Sequence, residues 1–333
     1  MLRFRFILLS CFASAIGCHA ISPTLQVNQA TVEPALVTDV QQVTINAAEI
    51  AKGEGDYDAA LKIFREVLNQ NPVATDAFVG IGDIYLIQKN WERAEPAFAR
   101  AVKLEPRNFD AQYGHAVSLQ MLKKFIDAVR AYHRALTLNP EDMGANMNIA
   151  TTYLQMGRPQ SALVFAERAV KLDGELAPAQ ITLAATYQLL GRPQDALESY
   201  IAASEEMDEP SPQLMRNIIY LLTKEKRYQE VVNTTTQLVQ IDPTTESYEQ
   251  LGWAEFRLGD YAASLESYKI AVDYDHTNWR ALNGIGVNEL NRWLLGDKTN
   301  TESYQTARIV FRRSLALNPD QPKVITLILR YGL

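Results

Sequence analysis

The chain has very few of the residues from which enzymes build metal and nucleophile sites: two cysteines and four histidines among 333 residues. Both cysteines, Cys11 and Cys18, precede residue 19, so the rest of the chain has no cysteine pair for a disulfide or a zinc site. No histidine stands at metal-ligand spacing from a cysteine or carboxylate, and there is no glycine-rich phosphate loop or Gly-x-Ser-x-Gly turn. The sequence therefore predicts no enzyme and no cofactor or metal site.

Basic residues are fewer than acidic ones: there are 32 lysines and arginines and 39 acidic residues, which gives a net charge of −7 at pH 7. Because an acidic protein repels phosphate backbones, we expect no nucleic-acid partner. The content of apolar residues (47%) and charged residues (21%) is typical of a folded chain and excludes a disordered one.

Long apolar runs are missing except near the start, where residues 1–17 have the pattern of an export signal. Arg3 and Arg5 precede an apolar stretch over 6–16 that is too short to span a bilayer. Two cleavage positions compete. The segment Ala15-Ile16-Gly17-Cys18 resembles a bacterial lipobox, which would leave Cys18 as a lipidated first residue. Cleavage after Ala20 is the alternative. We expect an exported, periplasmic protein anchored to the outer membrane through Cys18, with residues 18–40 as a tether.

Most of the chain repeats the pattern of residues 75–108. Two apolar helical stripes surround a polar turn, with small residues alternating with large ones, and Pro106 ends the second helix. The pattern returns 34 residues later and again after that. The residues that carry it are Phe78, Ile81, Gly82, Tyr85, Ala94, Phe98, Ala101 and Val102, and then Leu119, Ala128, Tyr132 and Ala135.

This period and pattern resemble the tetratricopeptide repeat, a two-helix unit. The resemblance implies an all-α, right-handed superhelical solenoid of about eight helix hairpins over residues 41–320, followed by a capping helix at 321–333. The expected repeats are 41–74, 75–108, 109–142, 143–176, 177–210, 212–244, 245–278 and 279–320, the last with an insertion near 293–301.

Two places depart from the pattern. The acidic segment 205–212 shifts the register by one residue and is either a hinge or contact segment or an irregular solvated turn. The insertion in the eighth repeat contains Trp293 and Leu294, which either contact a partner from a loop or extend the first helix and pack there.

The resemblance also implies a groove lined by the first helices of the repeats, at their second, fifth, ninth, twelfth and thirteenth positions. In repeats two to five these positions are mostly apolar, which suits an apolar peptide or an amphipathic helix. The alternative is that neighbouring repeats bury these side chains. The predicted groove residues are Val79, Asp83, Ile87, Tyr113, Val117, Met121, Met147, Thr151, Ile181 and Leu189.

The function that the resemblance implies is a protein-interaction scaffold, such as an assembly factor for an envelope complex. The lysine and asparagine set that lets some family members clamp a chaperone's C-terminal carboxylate is missing, so we exclude that activity. The alternatives are a regulatory or substrate-recruiting subunit of a partner enzyme and a self-associating structural protein. The sequence sets neither the partner nor the oligomeric state.

Overall fold

The structure is a computed structural model that describes residues 38–209 and 211–333. Within these ranges it contains seventeen α-helices and no strand, which confirms the predicted all-α solenoid. The helices are α1 Asp39–Gly53, α2 Tyr57–Gln70, α3 Thr75–Ile87, α4 Trp91–Leu104, α5 Phe109–Met121, α6 Phe125–Leu138, α7 Met143–Gln155, α8 Pro159–Leu172, α9 Ala177–Leu189, α10 Pro193–Glu205, α11 Pro212–Lys224, α12 Tyr228–Ile241, α13 Thr245–Leu258, α14 Tyr261–Tyr274, α15 Trp279–Leu295, α16 Thr301–Leu317 and α17 Pro322–Tyr331.

The expected export signal, Cys18 and the tether up to residue 37 lie outside the described residues. The tether was expected to reach residue 40, but α1 begins at Asp39. The reason is a capping box, in which the Thr38 hydroxyl accepts a hydrogen bond from the Gln41 backbone and the Gln41 side chain accepts one from the Thr38 backbone. Among the described helices, none combines the length and the apolar character needed to cross a bilayer.

Helices α1 to α16 form eight antiparallel hairpins, and each helix packs against its neighbours in the chain. In the first seven hairpins the turn contains one residue in the left-handed conformation, about every 34 residues. Glycine tolerates this conformation, and lysine occupies it in three of the turns. These residues are Gly55, Lys89, Lys123, Gly157, Gly191, Lys226 and Gly259.

The aromatic side chains of the second helices hold neighbouring repeats together. Phe98 of α4 is fully buried, and its ring lies between Gly82 of its own repeat and Gly114 of the next. A β-carbon at these glycines would lie 2.6 Å and 2.2 Å from atoms of the ring. The small residues therefore let the helices approach closely enough to enclose the ring on both sides.

The solenoid is least regular around α11. Successive first helices contact one another directly from α1 to α9 and again from α13 to α15, whereas such contacts are sparse on either side of α11. Helix α11 contains no glycine or alanine, so its large apolar side chains keep the neighbouring first helices apart. The preceding segment, Glu206–Glu209, forms an irregular turn, and Ser211 caps α11.

The eighth hairpin contains the insertion, for which a loop and a longer first helix were the two expected structures. Helices α15 and α16 have 17 residues each, and only residues 296–300 connect them. Most of the extra residues therefore extend the two helices, as in the alternative of a longer first helix. Helix α17 packs on this pair through Val324, which is buried, and covers the last hairpin.

Candidate partner-binding groove

Side chains of three first helices, α1, α3 and α5, line a cavity of about 370 Å³ at the N-terminal end of the array. Most of them occupy the second, fifth, ninth or twelfth position of their repeat, which are the positions expected to face the groove. We call this the N-terminal cavity, and its lining residues are Gln42, Ile45, Asn46, Glu49, Lys52, Asp76, Val79, Asp83, Leu86, Asp110, Tyr113 and Gly114.

The N-terminal cavity, which includes residues of repeat one, is acidic, unlike the mostly apolar lining predicted for repeats two to five. Four carboxylates face one lysine, Lys52, whose Nζ lies 2.6 Å from Glu49 Oε2 and 3.1 Å from Asp83 Oδ2. Burial lowers the pKa of Lys52, but its bonds to Glu49 and Asp83 outweigh this effect and raise the pKa. Burial also raises the pKa of Asp76, and the charges of Glu105 and Asp110 raise it further. The cavity therefore favours a cationic group.

The pKa of Asp83 predicts how stability depends on pH. Burial raises this pKa more than Lys52 lowers it, so the folded chain binds a proton at Asp83 more tightly than the unfolded chain. The ionised Asp83 carboxylate therefore lowers stability as pH rises above the usual aspartate range. We expect Asp83→Asn to have a higher melting temperature than the wild type at pH 7. The difference should shrink as pH falls below about 4.

The control for this comparison is Asp208→Asn, which removes an exposed carboxylate of the turn after α10, away from the cavity. Its melting temperature at pH 7 should stay close to that of the wild type. A lower melting temperature for Asp83→Asn at pH 7 would mean that the ion pair with Lys52 outweighs the cost of burying the carboxylate.

The middle of the groove is only partly open. Seven of the ten predicted groove residues are half-buried, while Ile87 (51% exposed), Met121 (46%) and Leu189 (61%) lie at the C-terminal ends of their helices. Neighbouring repeats therefore cover much of the predicted lining, and accessible apolar surface remains at the helix ends. The half-buried residues are Val79, Asp83, Tyr113, Val117, Met147, Thr151 and Ile181.

Two of the half-buried polar side chains are engaged inside the array. The Tyr113 hydroxyl accepts a hydrogen bond of 2.8 Å from Asn148 Nδ2, and the Thr151 hydroxyl donates one of 3.0 Å to the Met147 carbonyl. Burial raises the pKa of Tyr113, so its hydroxyl stays protonated at neutral pH. Both hydroxyls therefore already have hydrogen-bond partners within the array, and the two side chains mainly determine the shape of the groove.

A second cavity, of about 390 Å³, lies at the other end of the array between α13, α14 and α15. Most of its residues occupy the groove positions of repeats seven and eight. Unlike the N-terminal cavity, it combines aromatic side chains with two arginines. We call it the C-terminal cavity, and its lining residues are Glu249, Trp253, Phe256, Arg257, Tyr268, Arg280, Asn283, Gly284 and Val287.

Trp293 and Leu294, the predicted loop contact, lie in the last turn of α15. The Trp293 ring packs 5.0 Å from the Tyr304 ring and 6.4 Å from the Tyr331 ring, and its indole nitrogen donates to the Lys298 carbonyl at 3.1 Å. Both residues pack against the cluster that joins α15, α16 and α17. Their position therefore matches the alternative in which a longer first helix packs its own end.

The cavity residues that sequence reasoning missed belong to repeats one, seven and eight. Glu49 and Lys52 in the first repeat, and Trp253 and Arg257 in the seventh, stand at the ninth position and at the twelfth or thirteenth position. Applying the same positions to every repeat would have found them. Within residues 38–209 and 211–333, no three His, Cys, Asp or Glu side chains form a metal-binding group.

The repeat pattern is matched by a family model for the tetratricopeptide repeat over residues 45–109, 88–125, 113–178 and 249–322. The chain belongs to the tetratricopeptide repeat family. A second model of this family matches residues 177–200. Comparison with curated protein sequences gives no match.

Solved tetratricopeptide repeat structures share this fold at low sequence identity. PilW, described as a widely conserved type IV pilus biogenesis factor, is 19% identical with a TM-score of 0.57, over 63% of this chain and 97% of PilW. PilF of Pseudomonas aeruginosa is 17% identical with a TM-score of 0.56, over 63% of this chain and 95% of PilF. YrrB, described as having an unusual peptide-binding site, is 18% identical with a TM-score of 0.51, over 60% of this chain and 98% of YrrB. Identities this low show a common fold alone.

Proposed function

We propose that this protein is a scaffold of the bacterial cell envelope that holds one segment of a partner protein in the groove formed by its first helices. Tetratricopeptide repeat proteins mediate protein–protein interaction, and the fold is generally not enzymatic. The observation that carries the proposal is the pair of cavities, which lie at groove positions in repeats one to three and in repeats seven and eight. Apolar side chains at the helix ends lie between them.

The envelope location rests on the N-terminal sequence, in which a short apolar run over residues 6–16 is followed by Gly17 and Cys18. We propose export, lipidation of Cys18 and attachment to the outer membrane, with the array facing the periplasm. The fold likeness to PilW, a pilus biogenesis factor, is compatible with a role in assembling an envelope complex. In the alternative function, recruitment of a substrate to a partner enzyme, the substrate would bind in the same groove.

Photo-cross-linking from the groove tests the proposal. Benzoylphenylalanine replaces Val79, which lines the N-terminal cavity, and in the control it replaces Val164, an exposed side chain (51%) of the second helix α8. We expect irradiation of intact cells to cross-link the Val79 variant to a single segment of one partner protein. Mass spectrometry of the cross-linked peptides identifies this segment. The Val164 variant should not form this adduct.

Two results would contradict the proposal. Equal adducts from Val79 and Val164 would show that the groove is not the binding face. Cross-linked peptides that come only from a second copy of this chain would support self-association instead.

A further inference from the structure

One tyrosine of the C-terminal cavity lacks the hydrogen bond that its counterparts make. In repeats three and five, Tyr132 and Tyr200 donate to a glutamine at the twelfth position of the same repeat, with O–O distances of 2.7 Å to Gln120 and 3.2 Å to Gln188. The seventh repeat has Tyr268 at the same place but no glutamine, because its twelfth position is Phe256.

Tyr268 is only 7% exposed, and its hydroxyl makes no hydrogen bond with any residue that the structure describes. The ring lies between Gly252 and Gly284, where a β-carbon would lie 3.0 Å and 2.4 Å from ring atoms. The face of the ring, including the carbon that bears the hydroxyl, lies against Gly284, which itself lines the cavity. Burial, together with the charges of Glu249 and Glu255, raises the pKa of Tyr268, so the hydroxyl stays protonated and able to donate.

The two arginines of the cavity are held in place without being neutralised. Arg257 donates to the Tyr228 hydroxyl at 2.9 Å and lies 4.9 Å from the centre of that ring. Arg280 lies 4.7 Å from the centre of the Trp279 ring. Neither arginine forms an ion pair with a residue in the described part of the chain. Contacts with aromatic rings leave most guanidinium N–H groups free to bind a carboxylate.

The remaining lining residues add apolar surface and little competing charge. The Trp253 side chain is 36% exposed, and Phe256 and Val287 lie beside it in the cavity. The single acid of the lining, Glu249, already accepts a hydrogen bond of 3.0 Å from Asn278 Nδ2. The cavity thus contains aromatic side chains, two guanidinium groups without an ion pair and a hydroxyl that can donate a hydrogen bond.

We propose that the C-terminal cavity is the anchor point for an aspartate or glutamate next to an aromatic residue in the bound partner segment. The carboxylate accepts hydrogen bonds from Arg280 and the Tyr268 hydroxyl, Arg257 adds positive charge to the same cavity, and the aromatic ring packs on Trp253. This inference rests on the proposed function, in which the groove holds a partner segment. The four carboxylates of the N-terminal cavity repel the same acidic group, so the two ends of the groove fix the direction of the segment.

The test uses the full array and fluorescein-labelled glycine–serine peptides that carry a central Phe-Glu, Phe-Gln or Ser-Glu pair. Fluorescence anisotropy at low salt measures their dissociation constants. We expect the Phe-Glu peptide to bind about tenfold more tightly than either of the other two, because only it supplies both the ring and the charge. Arg280→Gln should remove the preference for glutamate over glutamine.

Tyr268→Phe separates binding from folding. Its hydroxyl has no partner in the described chain, so the melting temperature should not change, while affinity for the Phe-Glu peptide should fall about threefold or more. Arg100→Gln, an exposed change on α4, is the charge control and should leave affinity unchanged.

Equal affinity for the Phe-Glu and Phe-Gln peptides would overturn the inference, as would unchanged binding in both Arg280→Gln and Tyr268→Phe. Either result together with successful cross-linking from Val79 would leave the proposed function standing and remove only this anchor. Failure of the cross-linking as well would remove both.

Discussion

Replacing Phe98 with alanine should lower the free energy of unfolding by about 3–5 kcal/mol, the usual cost of removing a fully buried aromatic side chain. The ring fills the space between Gly82 and Gly114, and neither glycine has a side chain that can occupy the cavity. Because each repeat is stabilised mainly by its neighbours, the loss should be greatest in repeats two and three. Urea denaturation followed by circular dichroism measures the total loss, and amide hydrogen exchange locates it.

Ile126→Ala is the matched control, because the Ile126 side chain on α6 is 61% exposed. Its free energy of unfolding should stay within about 0.5 kcal/mol of the wild type. A loss below about 1 kcal/mol in Phe98→Ala would contradict the packing described for the array, since it would mean that the ring is not enclosed by both repeats.

Replacing Cys18 with alanine should move the protein from the membrane fraction to the soluble periplasmic fraction. Each buried methylene of an acyl chain contributes about 0.8 kcal/mol to membrane binding, and a single chain gives only reversible attachment. The several acyl chains of a bacterial lipoprotein would therefore bind firmly, and the variant would lack them. Cell fractionation followed by immunoblotting measures the change.

Mass spectrometry of the extracted protein provides the second readout for Cys18. The wild type should begin at residue 18 and carry diacylglyceryl and acyl groups. A chain that begins at residue 21 without lipid would contradict the anchor and leave a soluble exported binder. Residues 21–37 would then be a candidate functional arm instead of a tether.

The repeat pattern predicted the fold because the packing that it specifies is local. Phe98 and Gly114 lie 16 residues apart in the chain, and the same spacing recurs in later repeats, as with Tyr268 and Gly284. The pattern did not show where the helices of the eighth repeat end. The extra residues of the eighth repeat were expected either in a loop or in a longer first helix. Helices α15 and α16 contain most of them, and Trp293 packs against Tyr304 and Tyr331.

The groove was predicted less well than the fold, because it depends on how repeats stack. Sequence positions placed Val79 and Tyr113 in the N-terminal cavity, but they could not show that stacking covers Met147 and Thr151. The sequence also did not show that Tyr268 lacks a hydrogen bond. This becomes visible only when the glutamines that bind Tyr132 and Tyr200 are seen in place.

Cross-linking from both ends of the groove tests the central claim most directly. Benzoylphenylalanine at Val79 reports on the N-terminal cavity, and at Val287 on the C-terminal cavity. We predict that both positions attach to one continuous segment of one partner, with the acidic and aromatic part at Val287 and a basic part at Val79. Adducts that map to unrelated segments, or that form equally from Val164 on α8, would contradict a groove that holds a single segment in a fixed direction.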